Sequence, residues 1–304
     1  MGAKRKNDPK IITVLGPTSS GKSDLAVSLA KNFDGEIVSA DSRQVYKGMD
    51  IGTGKVTKEE MEGVPHYLLS VASPRRKFTV SQYQKKAAGA INKILKKEKL
   101  PIVCGGTAFY ISALVDGMIL PEITPDWNFR KELNKENCEE LLGRLEKIDP
   151  QRAGNIDPKN KRRLVRAVEI VEKTNEPVPS LKKNSFYSPL FLGIKIDRDT
   201  LNKKIDKRLQ ERLKEGMVEE VKNLRKSGIS WQRLESFGLE YKWIALYLQE
   251  KVSYDEAIKR LSLETKNFSK RQMNWWKGDT RINWIRDYKE AEKLVKNFLK
   301  APLN

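Results

Sequence analysis

The sequence has few of the residues that build metal centres and disulfide frameworks. Its 304 residues include two cysteines, Cys104 and Cys138, and a single histidine, His66. This inventory cannot supply a Cys/His zinc site and gives no disulfide framework, which favours a reducing compartment. No run of about 18 apolar residues occurs, and the basic segment MGAKRKNDPK has no apolar signal-peptide region. We therefore expect a cytoplasmic protein that does not span a membrane.

Acidic residues are also scarce relative to basic ones. The chain has 59 Lys and Arg against 40 Asp and Glu, a formal net charge of +19. This balance favours an acidic polymer or an anionic surface as partner, with nucleic acid first. In an organism whose proteins are generally rich in lysine, a protein without such a partner would show the same balance. Charge alone therefore leaves open both a nucleic-acid partner and a basic proteome.

The clearest motif is a glycine-rich loop that follows a short apolar run at 11–15. The pattern G-x-x-x-x-G-K-[ST] is met, and apolar residues at helical spacing come after it. In this strand–loop–helix setting, backbone N–H groups and the helix dipole bind phosphates, Lys22 adds charge, and the Ser23 hydroxyl can hold Mg²⁺. The predicted diphosphate-binding residues are Gly16, Pro17, Thr18, Ser19, Ser20, Gly21, Lys22 and Ser23.

Short apolar runs alternate with helical periodicity in the first part of the chain. Strand patterning then disappears after about residue 117 and resumes at 191–196. Alternating strands and helices predict a P-loop NTPase-like α/β fold, a parallel sheet flanked by helices, with an all-helical insertion. The predicted parts are a first core segment (1–116), the insertion (117–188) and a second core segment with a helical C-terminal half (189–304). Within the last part, we predict single helices at 201–225 and 236–248.

Three further polar groups are candidates for chemistry beside the phosphate loop. Asp41 follows a predicted strand, where a carboxylate can act as a general base or help to hold Mg²⁺. Thr107 follows two glycines at a predicted helix start, and Arg208 lies among lysines on a predicted basic helix. Each has a plainer interpretation: a turn aspartate, a helix N-cap and a solvated surface cation.

Longer segments resemble the tRNA dimethylallyltransferases, also called tRNA isopentenyltransferases. The matching segments run in order from about residue 11 to residue 285, which is nearly the whole chain. They are GPTSSGKS, DSRQVYKGMDIGTGK, GVPHYLL, GGTAFY, IDPKNKRRLVRAVEI, IDRDTLNKKIDKRL, FGLEYKWIALYL and FSKRQMNWWK. The DSRQVY segment is more diagnostic than the P-loop, which occurs in many nucleotide-binding enzymes.

The resemblance implies transfer of a dimethylallyl group from dimethylallyl diphosphate to the N6 amine of the tRNA adenosine 3′-adjacent to the anticodon. It implies that the P-loop holds the donor's diphosphate, with Mg²⁺ at Ser23, and that the enzyme is a monomer. Asp41 matches the family's general base, Thr107 a residue that bonds near the attacking amine, and Arg208 an arginine that neutralises diphosphate. The implied tRNA-binding residues, on the anticodon stem-loop, are Asp41, Ser42, Arg43, Gln44, Thr107, Arg130, Arg162, Arg163, Leu164, Val165, Arg166, Ser236, Phe237, Gly238, Leu239, Glu240 and Tyr241.

The chain departs from the family pattern at several positions. Ala108-Phe109 replaces a frequent Gly-Leu pair and Lys159-Asn160 a frequent Asn-Asp pair, while Lys204 and Glu240 stand where arginine and glycine are common. The last three departures lie on segments that the resemblance implies face RNA or phosphate.

Other classes of protein share part of this pattern. An adenylate isopentenyltransferase acting on free AMP, ADP or ATP would not need a basic helical insertion. A P-loop kinase for a small metabolite would leave the DSRQVY segment unexplained. A non-catalytic RNA-binding P-loop protein would have little reason to combine Lys22, Ser23, Asp41 and Thr107.

Overall fold

A computed structural model describes residues 8–119, 121, 123–179 and 184–302. Six parallel strands form one sheet in the order β3-β2-β4-β1-β5-β6. The strands are β1 Lys10–Leu15, β2 Gly35–Ser39, β3 His66–Tyr67, β4 Leu100–Gly105, β5 Ser188–Ile194 and β6 Ile282–Ile285. The predicted parallel α/β fold is confirmed.

Helices connect the strands and make up the remainder of the regular structure. In chain order they are α1 Lys22–Asn32, α2 Lys58–Met61, α3 Val80–Leu95, α4 Ala108–Val115, α5 Trp127–Leu133, α6 Cys138–Ile148, α7 Pro150–Ala153, α8 Lys161–Thr174, α9 Arg198–Lys214, α10 Met217–Lys226, α11 Trp231–Ser236, α12 Leu239–Leu248, α13 Tyr254–Trp276 and α14 Tyr288–Lys300. None of the described helices is long and apolar enough to cross a membrane.

The chain divides into two compact units. One unit combines Met1–Gly117 with Ser185–Asn304, and the other is Met118–Asn184. In the first unit both faces of the sheet are buried. Ile11 packs in a cluster with residues of α3 and α4, and the adjacent Ile12 packs in a second cluster with residues of α1 and α14. Successive strand residues point to opposite faces, so a continuous apolar run fits a sheet covered on both sides.

The second unit contains only helices among its described residues and has its own core. Leu141 and Leu145 of α6 pack against Leu164 and Val168 of α8, and all four side chains are fully buried. Apolar residues at three- and four-residue spacing place these side chains on one face of each helix.

Two predicted helices are wrong in the same way, because a glycine interrupts each. The segment predicted as one helix at 201–225 forms α9 and α10, separated at Gly216 with φ of 100°. The segment predicted at 236–248 starts only at Leu239, because Gly238 has φ of 75° and separates α11 from α12. Such a backbone angle lies outside the right-handed helix and favours glycine.

Candidate active site

The phosphate loop joins β1 to α1 at the carboxyl edge of the sheet. Ser19 and Gly21 have left-handed backbones, with φ of 61° and 88°, which fold the loop around its own amide groups. Gly21 takes the N-cap position of α1 and provides no side-chain cap. The first-turn N–H groups of α1 therefore remain available to an anion, supported by the helix dipole.

Lys22, at the start of α1, lies in a charged environment. Its ammonium group donates a hydrogen bond to the Pro17 carbonyl, 3.3 Å away. Burial lowers the pKa of Lys22 below its ordinary value; the nearby Cys104 and Asp41 oppose this shift, whereas the positive charges of Arg208 and Arg212 add to it. The charges of Asp41 and Arg208, two other predicted site residues, thus act on Lys22.

Asp41 and Thr107 lie on two adjoining loops. Asp41 is two residues beyond β2, and Thr107 is two residues beyond the neighbouring strand β4. The Asp41 Oδ1 atom accepts hydrogen bonds from the N–H groups of Arg43 and Gln44, at 2.8 and 3.3 Å. This arrangement fixes the carboxylate in a turn and leaves its second oxygen out of those two bonds.

Thr107 precedes α4 but makes no side-chain capping bond to it. Its hydroxyl instead accepts a hydrogen bond from the Ser42 N–H at 3.0 Å, and its own N–H donates to the Ala40 carbonyl at 3.1 Å. A Cβ on Gly105 would lie 2.2 Å from that carbonyl oxygen, so the two loops approach closely only because residue 105 is glycine. Thr107 thus takes the N-cap position of α4, as the plainer interpretation expects, but its hydroxyl bonds Ser42 and does not cap the helix.

The α9 helix contributes two arginines, one of which the sequence analysis missed. Arg208 is half-buried, whereas Lys203, Lys204 and Lys207 are exposed. Burial lowers the pKa of Arg208, and the adjacent charge of Arg212 adds to the shift. Arg212 lies four residues after Arg208, the helical spacing that puts two side chains on one face, and this spacing was the available signal.

Arg212 is held by polar partners on two other segments. It donates hydrogen bonds to the Gly52 carbonyl at 3.3 Å and to Glu240 Oε1 at 3.1 Å. Burial raises the pKa of Glu240, and Arg212 opposes that shift. Glu240, which replaces the family's frequent glycine, is therefore paired with the arginine that follows Arg208 by one helical turn.

The other residues predicted to contact tRNA in this unit have mixed exposure. Ser42 and Gln44 are half-buried, and Gln44 donates to the Gly54 carbonyl at 3.0 Å. The Arg43 guanidinium lies 5.8 Å from the centre of the Phe237 ring. Phe237 and Tyr241 are core residues, each 1% exposed, while Gly238 and Leu239 are half-buried and Ser236 is exposed.

The predicted tRNA-binding residues of the second unit also separate into two groups. Arg130 and Arg166 both donate hydrogen bonds to the carboxylate of Glu169, which is 0% exposed. Leu164 and Val165 are buried in the core of this unit. Arg162 and Arg163 are exposed, which leaves them as the arginines of this segment that can meet an external phosphate.

Gln272 is a second residue of the site, besides Arg212, that was not predicted. Gln272, near the end of α13, accepts a hydrogen bond from the Thr18 N–H at 2.9 Å and donates one to the Gly106 carbonyl at 2.8 Å. It lies within the FSKRQMNWWK segment, but no spacing pattern connects it with residues so far away in the sequence.

The donor set for a metal is sparse. Among the described residues, no group of three His, Cys, Asp or Glu side chains is arranged to hold a metal ion. Mg²⁺ commonly takes one or two protein oxygens and completes its shell with water and substrate phosphates. Ser23, in the first turn of α1, fits that pattern as a single hydroxyl ligand beside the diphosphate loop.

The sheet is parallel, with a phosphate loop after β1, the Asp41 carboxylate after β2 and Thr107 after β4. This arrangement defines a P-loop α/β protein with polar side chains beside its phosphate site. The IPP transferase family model matches residues 44–279. The chain belongs to this family.

Individual relatives agree over nearly the whole length. The chain is 41% identical to a tRNA dimethylallyltransferase of Thermoanaerobacter sp. (strain X514), with 96% of each chain covered, and 39% identical to one of Caldanaerobacter subterraneus, with 95% and 96% covered. A tRNA isopentenylpyrophosphate transferase structure from Bacillus halodurans has a TM-score of 0.73 at 34% identity, covering 98% and 97%. A eukaryotic dimethylallyltransferase acting on tRNA has a TM-score of 0.75 at 26% identity, covering 96% and 77%.

Proposed function

We propose that this enzyme transfers a dimethylallyl group from dimethylallyl diphosphate to the N6 amine of the tRNA adenosine 3′-adjacent to the anticodon. The observation that carries the proposal is the placement of the phosphate loop with Lys22 after β1, of Asp41 after β2 and of Thr107 after β4, all at the same edge of the parallel sheet. Cations and amide groups suit a departing diphosphate, and a neighbouring carboxylate suits the attacking amine. The names of its relatives describe the same prenyl transfer to tRNA.

The chain's own residues account for both halves of the reaction. The bond between the allylic carbon and a diphosphate oxygen breaks, a bond from that carbon to N6 forms, and one N6 proton moves to the Asp41 carboxylate. Loop amides, Lys22 and Arg208 stabilise the negative charge that develops on the leaving diphosphate. Thr107, fixed by its bonds to the Ala40 and Ser42 backbone, orients the amine beside Asp41.

Mg²⁺ is the cofactor in this proposal, held by Ser23 together with the donor's phosphate oxygens. When bound, the ion supplies positive charge that offsets the charge of the diphosphate. The partners are the tRNA anticodon stem-loop and dimethylallyl diphosphate. The family resemblance supports a cytoplasmic monomer.

The tRNA partner is held largely through its phosphates. Arg162 and Arg163 are exposed cations at the start of α8 and are suited to contact the anticodon stem. Because the target adenine must reach a pocket, it leaves the stack of the anticodon loop. Ser42, Arg43 and Gln44, with Ser236, Gly238, Leu239 and Glu240, form the protein side of that pocket, and the buried Phe237 and Tyr241 support it from the core.

A prenyl-transfer assay tests the proposal directly. Labelled dimethylallyl diphosphate with Mg²⁺ is offered unmodified tRNA, AMP or ATP in separate reactions. We expect label in tRNA alone. Label in AMP alone would instead indicate an adenylate isopentenyltransferase, which the names of the relatives do not favour. Absence of label in all reactions would refute prenyl transfer to these substrates.

A further inference from the structure

We propose that Gln272 is a positioning residue. It connects the diphosphate loop, which binds the donor, to the Thr107 loop, which orients the attacking amine, and it fixes their relative position. The inference rests on the proposed function and deepens it, because it identifies the group that fixes one reactant relative to the other. Gln272 is 7% exposed and reaches the site from α13, far along the chain from both loops that it contacts.

The two bonds of Gln272 end on different functional loops. Its side-chain oxygen accepts from the N–H of Thr18, within the diphosphate loop, at 2.9 Å. Its side-chain nitrogen donates to the carbonyl of Gly106, the residue before Thr107, at 2.8 Å. One amide group thus spans the gap between the phosphate loop and the Thr107 loop.

The connection continues to the proposed base. Thr107 accepts from the Ser42 N–H and donates its own N–H to the Ala40 carbonyl, so both residues that flank Asp41 are bonded to it. A continuous series of hydrogen bonds therefore runs from the P-loop through Gln272 and Thr107 to the backbone on either side of Asp41. A small shift in this series would separate the reacting amine from the allylic carbon, and misplacement by about 1 Å can cost about a hundredfold in rate.

The chemistry of the two partners specifies an amide. Thr18 offers an N–H and needs an acceptor, whereas Gly106 offers a carbonyl and needs a donor. A carboxylate can satisfy only the first partner, and a thioether can satisfy neither while filling a similar volume. Glutamine at this position is therefore required by both neighbours at once.

Gly106 shows how closely the amide is seated. A Cβ at Gly106 would lie 2.3 Å from the Gln272 side-chain nitrogen and 3.4 Å from the Gly16 carbonyl oxygen. An alanine at residue 106 would displace the amide without removing it. Gly106→Ala is thus a second, independent way to break the same connection.

The test compares Gln272→Met and Gln272→Glu with a matched glutamine elsewhere. Gln249 is half-buried and donates to Glu235 at 2.8 Å and to the Ala245 carbonyl at 3.0 Å, outside the site. Gln249→Met is therefore the control for loss of a bonded glutamine. For each variant, calorimetry measures binding of inorganic diphosphate, steady-state kinetics gives kcat and the donor KM, and filter binding gives the tRNA Kd.

We expect both Gln272 variants to bind diphosphate about tenfold more weakly. Methionine leaves the Thr18 N–H without its partner, and glutamate places a negative charge beside the diphosphate. We expect kcat to fall by about ten- to a hundredfold, with the tRNA Kd changed by less than about twofold. Gly106→Ala should lower kcat similarly, and Gln249→Met should match the parent protein. A uniform fall in thermal stability with unchanged diphosphate affinity and kcat would overturn the proposal.

The diphosphate measurement separates this inference from the proposed function. If the parent protein fails to prenylate tRNA but the Gln272 variants still weaken diphosphate binding, the proposed reaction fails and the support of the P-loop by Gln272 stands. If the parent protein prenylates tRNA and the Gln272 variants match it in kcat and diphosphate affinity, the reaction stands and the positioning role is refuted.

Discussion

Asp41 has two tasks that a single substitution can separate. One carboxylate oxygen closes a turn by accepting from the Arg43 and Gln44 N–H groups, and the proposed proton transfer needs a negative carboxylate. Asparagine retains an oxygen for the turn but cannot accept a proton at neutral pH. We expect Asp41→Asn to lower kcat by about a hundred- to ten-thousandfold, the usual range for general bases, with little change in the tRNA Kd.

Controls for Asp41 are available within the same unit. Asp197 caps α9 by accepting from the Thr200 N–H at 2.8 Å, and asparagine is an equally good cap. Asp197→Asn should therefore retain kcat. Asp41→Ala removes both the charge and the turn, so it should also weaken tRNA binding if Ser42 to Gln44 contact the RNA. Equal kcat for Asp41→Asn and the parent protein would rule out Asp41 as the base.

At the scale of single residues, the sequence could reveal groups that follow motifs but not groups that meet through the fold. Asp41 and Thr107 follow predicted strands, and parallel strands bring their carboxyl ends to one edge of the sheet. Gln272 has no such local signal, because its partners lie on loops from other parts of the chain, and the pairing of Glu240 with Arg212 of α9 is likewise set by the fold. Arg130 and Arg166 show the opposite case. Their match to the family predicts contact with tRNA, but in the structure both form ion pairs with the buried Glu169.

At the scale of elements, the α8 helix carries a buried carboxylate that organises its unit. Glu169 accepts from the Asp126 N–H at 2.8 Å and from Arg130 Nε and Nη2 at 2.9 and 2.6 Å, and it also pairs with Arg166. Burial opposes ionisation of Glu169, but the bonds from Arg130 and Arg166 outweigh it and lower its pKa. The charged form therefore stabilises the second unit.

We expect Glu169→Gln to destabilise the second unit by about 3 kcal/mol, because two half-buried guanidinium groups lose the countercharge of a fully buried carboxylate. Glu172, one turn away on α8, also pairs with an arginine, Arg144, but its side chain is 27% exposed. Glu172→Gln should cost less than about 1 kcal/mol. Hydrogen exchange of the α8 amides measures both values, and similar costs for the two variants would contradict the special role of Glu169.

The pH dependence of the same unit follows from the sign of the shift. A glutamate with a lowered folded-state pKa stabilises the fold above its unfolded pKa, and this contribution is lost as the pH falls through the folded value. We therefore expect the parent protein to lose protection of the α8 amides on acidification below the ordinary glutamate range. Glu169→Gln, which has no such proton to gain, should show a smaller acid-dependent loss.

The elements also show where sequence patterns stop being informative. Apolar periodicity continues from α9 through α10 and hides the break at Gly216, since a single glycine is compatible with a helix at a modest cost. The break is set by the backbone angle of Gly216, which periodicity does not report. The alternation of strands and helices, in contrast, was predicted correctly because the central strands β1, β4 and β5 are largely apolar runs.

At the scale of the whole molecule, the net charge of +19 allows two distinct ways of holding RNA. A diffuse field would draw tRNA to many surfaces, whereas a localised site would concentrate phosphate contacts on a few cations. Salt dependence separates these cases, because each phosphate contact that is lost lowers the slope of log K against log salt by about one. Arg162 and Arg163 are the exposed pair that the localised model requires.

We therefore expect Arg162→Ala/Arg163→Ala to weaken tRNA binding and to lower the salt slope by about two, with diphosphate binding unchanged. The control removes the same charge from α14, where Lys289 and Lys293 are exposed, as Lys289→Ala/Lys293→Ala. Titrations of tRNA at several salt concentrations give both slopes. If the control lowers the slope as much as the α8 variant, the charge acts as a diffuse field and the second unit does not hold the anticodon stem through these arginines. If only the α8 variant lowers the slope, the positive charge that binds tRNA is concentrated at the start of α8. The diphosphate loop then binds the donor independently of that charge.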